Sequence, residues 1–323
     1  MKKIVIICPY LGKLPYNQIK IFLKSCEKNP NVDWILMIDD RTKYLWPKNV
    51  KVIYTTLDEI RKKIQEKFDF KICLDSAYKL CDFKPTYGYV FQNIIKEYDY
   101  WGHCDLSDSI FGSFEEKIGN ILDKGYDKIG IFGHLTLYKN EKEVNERIFL
   151  PSNSNKDLKD ILGVSNNMAF DETYNYSINQ IYMDNGFKIK RIDDLYVDVS
   201  TRSSCFRRAK WSDKLEWLYL LKERYIIEWD NGRLYKIYLK DREIKKEEIL
   251  YVHYQKRKMD FQIDIDNTNQ FYIVPNKFIT LDSIDEKVIK KYTKNKLINR
   301  TLLNIRIKKL EKILKRKLFK NKE

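Results

Sequence analysis

Short apolar runs alternate with amphipathic stretches through the first third of the chain. A strand buried on both faces is predicted over 3–8, where Lys3 is followed by an uninterrupted apolar run, and similar runs predict strands over 32–38 and 50–54. Helices are predicted over 17–27, where apolar residues recur at i, i+3, i+4 and i+7, and over 57–67. This alternation indicates an α/β fold with ligand loops at the strand ends.

The pattern is less regular after residue 68. A polar and aromatic segment over 69–93 predicts a helix, and apolar runs predict strands over 98–104 and 129–134. The stretch 141–195 is polar and predicts loops. Neither G-x-G-x-x-G nor G-x-x-x-x-G-K-[ST] occurs, which disfavours dinucleotide dehydrogenases and P-loop enzymes.

An aromatic-rich stretch later in the chain predicts antiparallel strands. Tyr225–Trp229 and Arg233–Leu239 flank an Asn231-Gly232 pair, which is typical of a two-residue hairpin turn. One more strand is predicted over Leu250–Tyr254.

Positive charge is concentrated at the C-terminus. The chain carries 61 Lys and Arg against 46 Asp and Glu, a formal net charge of +15. Residues 291–323 hold thirteen Lys and Arg against two Glu, which is +11 of that total. The same segment carries an apolar stripe at helical spacing: Leu303, Ile307, Leu310, Leu314 and Leu318. We therefore predict a nearly charge-balanced domain over 1–282 and a basic amphipathic helical tail over 283–323.

The predicted tail suits an anionic membrane surface. Its apolar stripe can embed shallowly, and each basic residue near the lipid contributes about 1 kcal/mol. The alternatives are a helix packed on the domain and self-association of the chain as a homo-oligomer. No stretch approaches the ~18 apolar residues of a spanning helix, and six scattered cysteines without C-x-x-C favour reduced thiols. The predicted location is the cytoplasm, at the inner face of the cell membrane.

The segment YDYWGHCDLSDSIFG carries the densest chemical signal. An aromatic strand runs into Asp105 and Asp108, and carboxylates at a strand end suit a hard divalent cation bound to a substrate diphosphate. His253 ends a later predicted strand and can supply a third ligand. Lys256 follows it as a partner for phosphate oxygens.

Several motifs together resemble a known family. The runs YKLCDFKPTYGYVF and YDYWGHCDLSDSIFG, then GIFGHLTLYKN, FDETYNYSIN and LYVHYQKRKM, are similar to a bacterial polysaccharide-locus family long catalogued as a domain of unknown function. The resemblance covers about residues 1–260. That family is regarded as glycosyltransferase-like with a GT-A fold. The resemblance therefore implies a Rossmann-like mixed sheet flanked by helices that binds a nucleotide sugar.

The resemblance also implies a set of metal ligands. Asp105 and Asp108 match the D-x-D motif of the family, although Ser107 is inserted between them. The C-terminal histidine that completes the metal shell in similar enzymes matches His253, and the lysine that contacts the diphosphate matches Lys256. The implied ion is Mn²⁺ or Mg²⁺.

The donor is expected to contact several loops. The nucleobase is expected to lie across Pro9, Tyr10 and Asp39, at the ends of the first two predicted strands. Asp82 and Lys84, which a Lys-Pro turn sets close together, are expected to approach the donor from that turn.

Two further residues are candidates for the acceptor side. His134 ends a predicted strand and is expected either to contact the donor sugar or acceptor or to be structural. Asp171 is the best candidate for the base that takes the proton of the acceptor hydroxyl. The alternative for Asp171 and Glu172 is an acidic pair at a helix N-terminus.

These features predict a metal-dependent glycosyltransferase. It would move a hexose from a nucleotide-diphosphate donor, most simply a UDP-sugar, to a glycan or lipid-linked acceptor in bacterial surface polysaccharide synthesis. The alternatives are a nucleic-acid-binding protein that uses the basic tail and an inactive relative that only binds glycans. Nucleic acid is not the expected partner, because the domain carries little excess charge and no nucleic-acid motif.

Overall fold

The computed structural model describes residues 2–199, 205–255 and 259–293, and beyond them residues 303, 306, 307, 310 and 311. Lys256 and most of the predicted C-terminal helix lie outside these residues. Leu303, Ile307 and Leu310, three members of the apolar stripe, are exposed.

The secondary structure alternates in the N-terminal half and is mainly β in the C-terminal half. In chain order, the strands are β1 (Ile4–Tyr10), β2 (Val32–Ile38), β3 (Val50–Tyr54), β4 (Tyr100–Cys104), β5 (Ser109–Phe111), β6 (Lys128–Phe132), β7 (Leu135–Lys139), β8 (Ile189–Lys190), β9 (Tyr196–Asp198), β10 (Phe206–Trp211), β11 (Trp217–Glu223), β12 (Ile226–Asp230), β13 (Arg233–Lys240), β14 (Glu243–Ile249), β15 (Tyr251–His253), β16 (Asp260–Gln262), β17 (Gln270–Val274) and β18 (Lys277–Ile279). The α-helices are α1 (Tyr16–Glu27), α2 (Leu57–Gln65), α3 (Leu80–Phe83), α4 (Tyr87–Val90), α5 (Gln92–Ile95), α6 (Phe114–Asp123), α7 (Lys142–Glu146), α8 (Leu158–Leu162), α9 (Ile178–Asp184) and α10 (Glu286–Thr293). Turns of 3-10 helix cover Ala77–Lys79, Lys84–Thr86, Arg147–Phe149 and Asp193–Leu195.

The first sheet is a mixed sheet with the order β3-β2-β1-β4-β7-β6-β8. β3, β2, β1 and β4 are parallel, whereas β7 is antiparallel to both β4 and β6. Side chains of alternate residues in the central strands pack against helices on opposite faces of the sheet. Ile4 and Ile6 pack with α1 and α6, while Val5 and Ile7 pack with α2, α8, α9 and the short helices α3, α4 and α5. Burial on both faces explains why the central strands are continuous apolar runs.

Two further sheets complete the fold. The second has the order β11-β10-β9-β15-β5, and the third has the order β14-β13-β12-β17-β18-β16. A shared apolar cluster that includes Ile110, Val252 and Ile227 joins them. The predicted hairpin is β12-β13, with positive φ angles of 45° at Asn231 and 96° at Gly232. Asn and Gly tolerate such angles, so the turn forms without the strain that a branched residue would suffer.

The predicted α/β class and the elements with the clearest patterns are confirmed. The helix predicted over 69–93 is wrong, because this segment is divided into short α-helices and 3-10 turns. Pro85 lies within one such turn and has no amide hydrogen to continue a helix. The loop-rich prediction for 141–195 is also wrong, since α7, α8, α9 and β8 lie there. Asp157 and Ser177 cap α8 and α9 with side-chain oxygens.

Two findings concern membrane crossing and the state of the cysteines. None of the helices among the described residues combines the length and the apolar character that crossing a bilayer requires. All six cysteines are free thiols, as predicted. Four of them are buried: Cys8, Cys26, Cys104 and Cys205.

Candidate functional site

A pocket with charged side chains in its lining opens where the connections of the first sheet change direction. From β1 the chain continues outward to β2 and β3, whereas β4 lies on the other side of β1, so the two carboxyl ends of β1 and β4 flank a crevice. This pocket has a volume of about 290 Å³. Its lining includes Pro9, Tyr10, Cys81, Lys84, Asp105 and Asp108.

Lys84 lines the pocket, is buried, and has its ammonium group surrounded by three oxygen atoms. Its Nζ donates to Asp105 Oδ1 at 2.8 Å and to the Gly133 carbonyl at 2.9 Å, and it lies 3.1 Å from Asp171 Oδ2. The 3-10 turn that begins at Lys84 is stiffened by Pro85, which fixes where the lysine leaves the backbone. The ammonium therefore links three separate segments of the chain.

His253 lies on the other side of Asp105. Its Nε2 is 3.3 Å from Asp105 Oδ2, and its Nδ1 is 3.3 Å from Asp198 Oδ1. The parallel pairing of β15 with β9 places His253 level with Asp198. The His253 ring stacks on that of His134 at a centroid distance of 4.3 Å, and His134 Nδ1 is hydrogen-bonded to the Tyr251 hydroxyl at 2.8 Å.

Charges in this cluster stabilise one another. Burial alone would lower the pKa of Lys84, but Asp105 and Asp171 outweigh it and hold that pKa well above its ordinary value. Burial disfavours the Asp105 carboxylate, yet Lys84 and His253 keep its pKa well below the usual range. Burial also disfavours a charged imidazole, but Asp105 and Asp198 raise the pKa of His253 to about 10. One carboxylate thus lies between two cations.

Gly133 connects this cluster to a second pair of acids. Its carbonyl accepts from His103 Nδ1 at 3.1 Å as well as from Lys84, and its amide donates to Glu172 Oε1 at 3.3 Å. A Cβ on Gly133 would lie 2.1 Å from Asp171 Oδ2, so only glycine lets that carboxylate approach. Burial raises the pKa of Asp171 to about 6, although Lys84 acts to lower it. Burial, and after it repulsion by Asp171, raises the pKa of Glu172 to about 8.

The predicted site residues fall into three groups. Pro9, Tyr10, Lys84, Asp105 and Asp108 line one pocket. A second group does not line the pocket but contacts residues that do: His253 contacts Asp105, and Asp171 contacts Lys84. His134 belongs to the same group because its ring stacks on that of His253. Asp39 is at the neighbouring strand end, where its Oδ1 accepts from the Gly12 amide at 2.7 Å.

Asp82 is placed differently from its prediction as a donor contact. Its side chain is fully buried, and Oδ2 accepts from Lys79 Nζ at 2.7 Å and from the Met168 amide at 2.8 Å. Oδ1 accepts from the Phe170 amide at 3.2 Å. Both carboxylate oxygens are therefore occupied by the protein, and Asp82 fixes the backbone that leads to Asp171.

The predicted metal ligands do not converge into one centre. Both oxygens of Asp105 already face cationic partners, Lys84 on Oδ1 and His253 on Oδ2. Asp108 lines the same pocket. In the part of the chain that the structure describes, no group of three or more His, Cys, Asp or Glu side chains is arranged to hold a metal ion. As arranged, these residues do not fit the predicted Mn²⁺ or Mg²⁺ site.

Other residues of the cluster were missed in the sequence. Asp198 lies in none of the runs that carry the resemblance, and it reaches the site because β9 pairs with β15. Gly133 lies in one of these runs, next to His134, but only its position after β6 brings it to Lys84. The pairing of Tyr251 with His134 is equally hidden, because 117 residues separate them. In the sequence, Glu172 is recognisable only as the acidic residue that follows Asp171. A glycine after the apolar run Ile129–Phe132 was the one available signal of a close approach.

Comparison with protein families places most of the chain in one family. Residues 6–282 match a family described as "Family of unknown function (DUF6625)". The matched range contains every described residue of the pocket and of the cluster behind it. No curated protein matches the chain.

Proposed function

The chain belongs to the Family of unknown function (DUF6625), and we propose that it is a glycosyltransferase that moves a sugar from a nucleotide-diphosphate donor to a glycan or lipid-linked acceptor. A UDP-hexose is the proposed donor, and bacterial surface polysaccharide is the proposed product. The C-terminal tail is proposed to hold the enzyme at an anionic membrane surface, where a lipid-linked acceptor is presented.

The observation that carries the proposal is the pocket between the carboxyl ends of β1 and β4, which Lys84, Asp105 and Asp108 line. In open α/β sheets this crevice is where nucleotides bind. The parallel order β3-β2-β1-β4 and the antiparallel β7 beside β4 support a GT-A-like arrangement of the first sheet. The motifs that carry the family resemblance supply Lys84, Asp105 and His253 to the same place.

The cluster offers the charges that such a transfer needs. The acceptor oxygen forms a bond to the anomeric carbon, and the bond from that carbon to the diphosphate oxygen breaks. The diphosphate leaves with the electron pair, so fixed cations near the pocket lower the barrier. Lys84 lines the pocket, and His253 lies against Asp105, another lining residue. Tyr10 and Pro9 also line the pocket, and the nucleobase is proposed to pack on them.

Asp171 is proposed to take the proton of the acceptor hydroxyl. Its carboxylate is buried beside Lys84, and burial raises its pKa, which makes it a better proton acceptor near neutral pH than an exposed aspartate. No step is assigned to a divalent cation, because the oxygens of Asp105 already have partners.

The proposal is tested by release of nucleotide from sugar donors. The full chain is incubated with UDP-, GDP-, CDP- and dTDP-sugars, with and without Mn²⁺, and free nucleoside diphosphate is measured by chromatography. We expect one donor class to be cleaved, and Asp105→Asn to lower the rate at least 100-fold, since it removes the charge that holds Lys84 and His253. Asp58→Asn, which alters an exposed ion pair on α2, is the matched control.

Two outcomes would reject this function. One is the absence of cleavage with every donor, with and without metal. The other is cleavage that Asp105→Asn leaves at the rate of Asp58→Asn, because the activity would then lie elsewhere.

A further inference from the structure

A second and larger concave surface lies away from the pocket. It is bounded by α1, by the β2–β3 loop (residues 39–49) and by the turn at 265–266, and it encloses about 740 Å³. We call it the α1 groove. Its lining includes Tyr16, Lys20, Lys24, Tyr44, Trp46 and Tyr54.

Aromatic side chains present their surfaces to this groove. Tyr16 is 55% exposed and Tyr54 is 42% exposed, although both are large rings. Tyr16 packs on Tyr44 at a centroid distance of 5.5 Å, and Tyr44 packs on Trp46 at 5.2 Å. Leu45, between them in sequence, is 94% exposed. Tyr16, Tyr44 and Trp46 therefore form a row of three contacting rings. Tyr54 lines the same groove, and Arg41 lies over its ring at 4.7 Å. Lys20 lies over the Tyr16 ring at 5.5 Å.

The walls of the groove are held in place before any ligand arrives. At one end of the loop, Asp40 accepts from the amide and hydroxyl of Thr42 at 2.9 and 2.7 Å and from the Leu14 amide at 2.8 Å. At the other end, Asn49 Nδ2 contacts three backbone carbonyls at 2.9 to 3.0 Å: Cys26, Asn29 and Val32. A loop fixed at both ends loses little conformational freedom on binding.

The charges in the groove discriminate among ligand classes. Three lysines line it, but two carboxylates, Glu27 and Asp266, line it as well. Lys20 pairs with the Asp266 carboxylate, and Lys24 donates to the Asp266 carbonyl at 3.4 Å. The groove is therefore nearly balanced in charge, which disfavours a polyphosphate or a lipid surface that needs several unpaired cations.

A chain of sugars matches this combination of groups. Each pyranose ring has a C–H face, which packs on the electron-rich face of an aromatic ring, and a rim of hydroxyls that both donate and accept hydrogen bonds. Lysine ammonium groups and carboxylates supply partners of both kinds. A groove of this volume with rings along its length accommodates several sugar units.

We propose that the α1 groove binds an oligosaccharide chain at a site separate from the pocket between β1 and β4. The proposal does not depend on the transfer reaction, because a glycan can be held here whether or not the pocket is catalytic. In a transferase, the groove would retain a growing chain between additions.

The test uses the full chain on an array of bacterial surface oligosaccharides, neutral and acidic, with the best ligand then titrated by calorimetry. Oligouridylate and phosphatidylglycerol vesicles are titrated in parallel. We expect binding of at least one neutral or weakly charged oligosaccharide. Tyr16→Ala and Trp46→Ala should each weaken it about five- to ten-fold, the range expected from loss of one aromatic contact. Trp217→Ala, which removes an exposed tryptophan outside the groove, should leave it unchanged.

The variants also separate binding from folding. Tyr16 is exposed, so its truncation should not alter the thermal unfolding midpoint. The proposal is overturned if the array shows no bound oligosaccharide, or if Tyr16→Ala and Trp46→Ala bind it as tightly as Trp217→Ala does. It is also overturned if no oligosaccharide binds at the groove and these two variants weaken the binding of oligouridylate or of the vesicles instead.

Discussion

Substitution of Gly133 by alanine tests the geometry of the charged cluster with a single methyl group. An added Cβ would lie 2.1 Å from Asp171 Oδ2, 2.8 Å from its Cγ and 3.0 Å from Glu172 Oε1. The first two of these distances are shorter than the contacts that Cβ atoms make with non-bonded atoms in proteins. Either the carboxylate of Asp171 or the backbone at Gly133 has to move. The first forms an ion pair with Lys84 and the second accepts a hydrogen bond from it.

The cost of this movement can be estimated from its parts. One extra methylene-sized group in a packed interior costs about 1–3 kcal/mol through strain and displacement. Withdrawal of Asp171 from Lys84 also leaves a buried carboxylate without its cation, which the group can relieve by taking up a proton. We therefore expect Gly133→Ala to lose about 2–3 kcal/mol of unfolding free energy at pH 7.

Urea denaturation provides the assay, and Gly119 provides the matched control. Gly119 lies inside α6, and a Cβ added there meets nothing within 4 Å. Gly119→Ala should stabilise the chain by about 0.5–1 kcal/mol, since alanine is the better helix former. If Gly133→Ala is as stable as the unmodified chain while Gly119→Ala behaves as expected, the described approach of Asp171 to Gly133 is refuted.

Three further predictions concern buried charges. Lys84→Met should lower the unfolding free energy by about 3 kcal/mol or more, because it removes the shared cation of the cluster. Lys96→Met, at an exposed lysine, should change the unfolding free energy by no more than about 0.5 kcal/mol in the same urea assay. Asp82→Asn should destabilise by about 3–5 kcal/mol, because it leaves the buried ammonium of Lys79 without its carboxylate; equal stability would contradict that pair. Burial, and after it the nearby Asp171, raises the pKa of Glu172 from 4.5 to about 8, so between these pH values the folded chain holds a proton that the unfolded chain has lost. Stability should therefore fall as pH rises through this window, with a slope of at most about 1.4 kcal/mol per pH unit from this group, and Glu172→Gln should remove that part of the slope in urea titrations at several pH values.

Local patterns predicted the elements that depend on local physics. The strands β1 and β2 are apolar runs because both of their faces are buried, and α1 has an apolar face at helical spacing. The β12-β13 hairpin follows from the Asn231-Gly232 turn. The helix α6 was missed although Ser113 and Glu116 form an S-x-x-E start signal, and Ser113 does accept from the Glu116 amide.

The site could be predicted only where a motif carried it. Lys84 and Asp105 lie 21 positions apart in recognisable runs, and the structure joins them at 2.8 Å. The partnership of His253 with Asp198 depends on the order of the second sheet, which no local pattern encodes. Asp82 was assigned to the donor because an exposed and a buried acid look the same in sequence, and only the packing of Lys79 against it distinguishes them. The conclusions for the tail and for Lys256 stay predictions, since Lys256 and most of residues 283–323 lie outside the described residues.

Calorimetric titration of nucleoside diphosphates measures whether the pocket between β1 and β4 holds a nucleotide. Ala77 lines this pocket, so Ala77→Phe should fill part of its roughly 290 Å³. We expect one nucleoside diphosphate, UDP in the first instance, to bind the unmodified chain and to bind Ala77→Phe at least ten-fold more weakly. If none of them binds, or if Ala77→Phe binds with equal affinity, the pocket is not a nucleotide site.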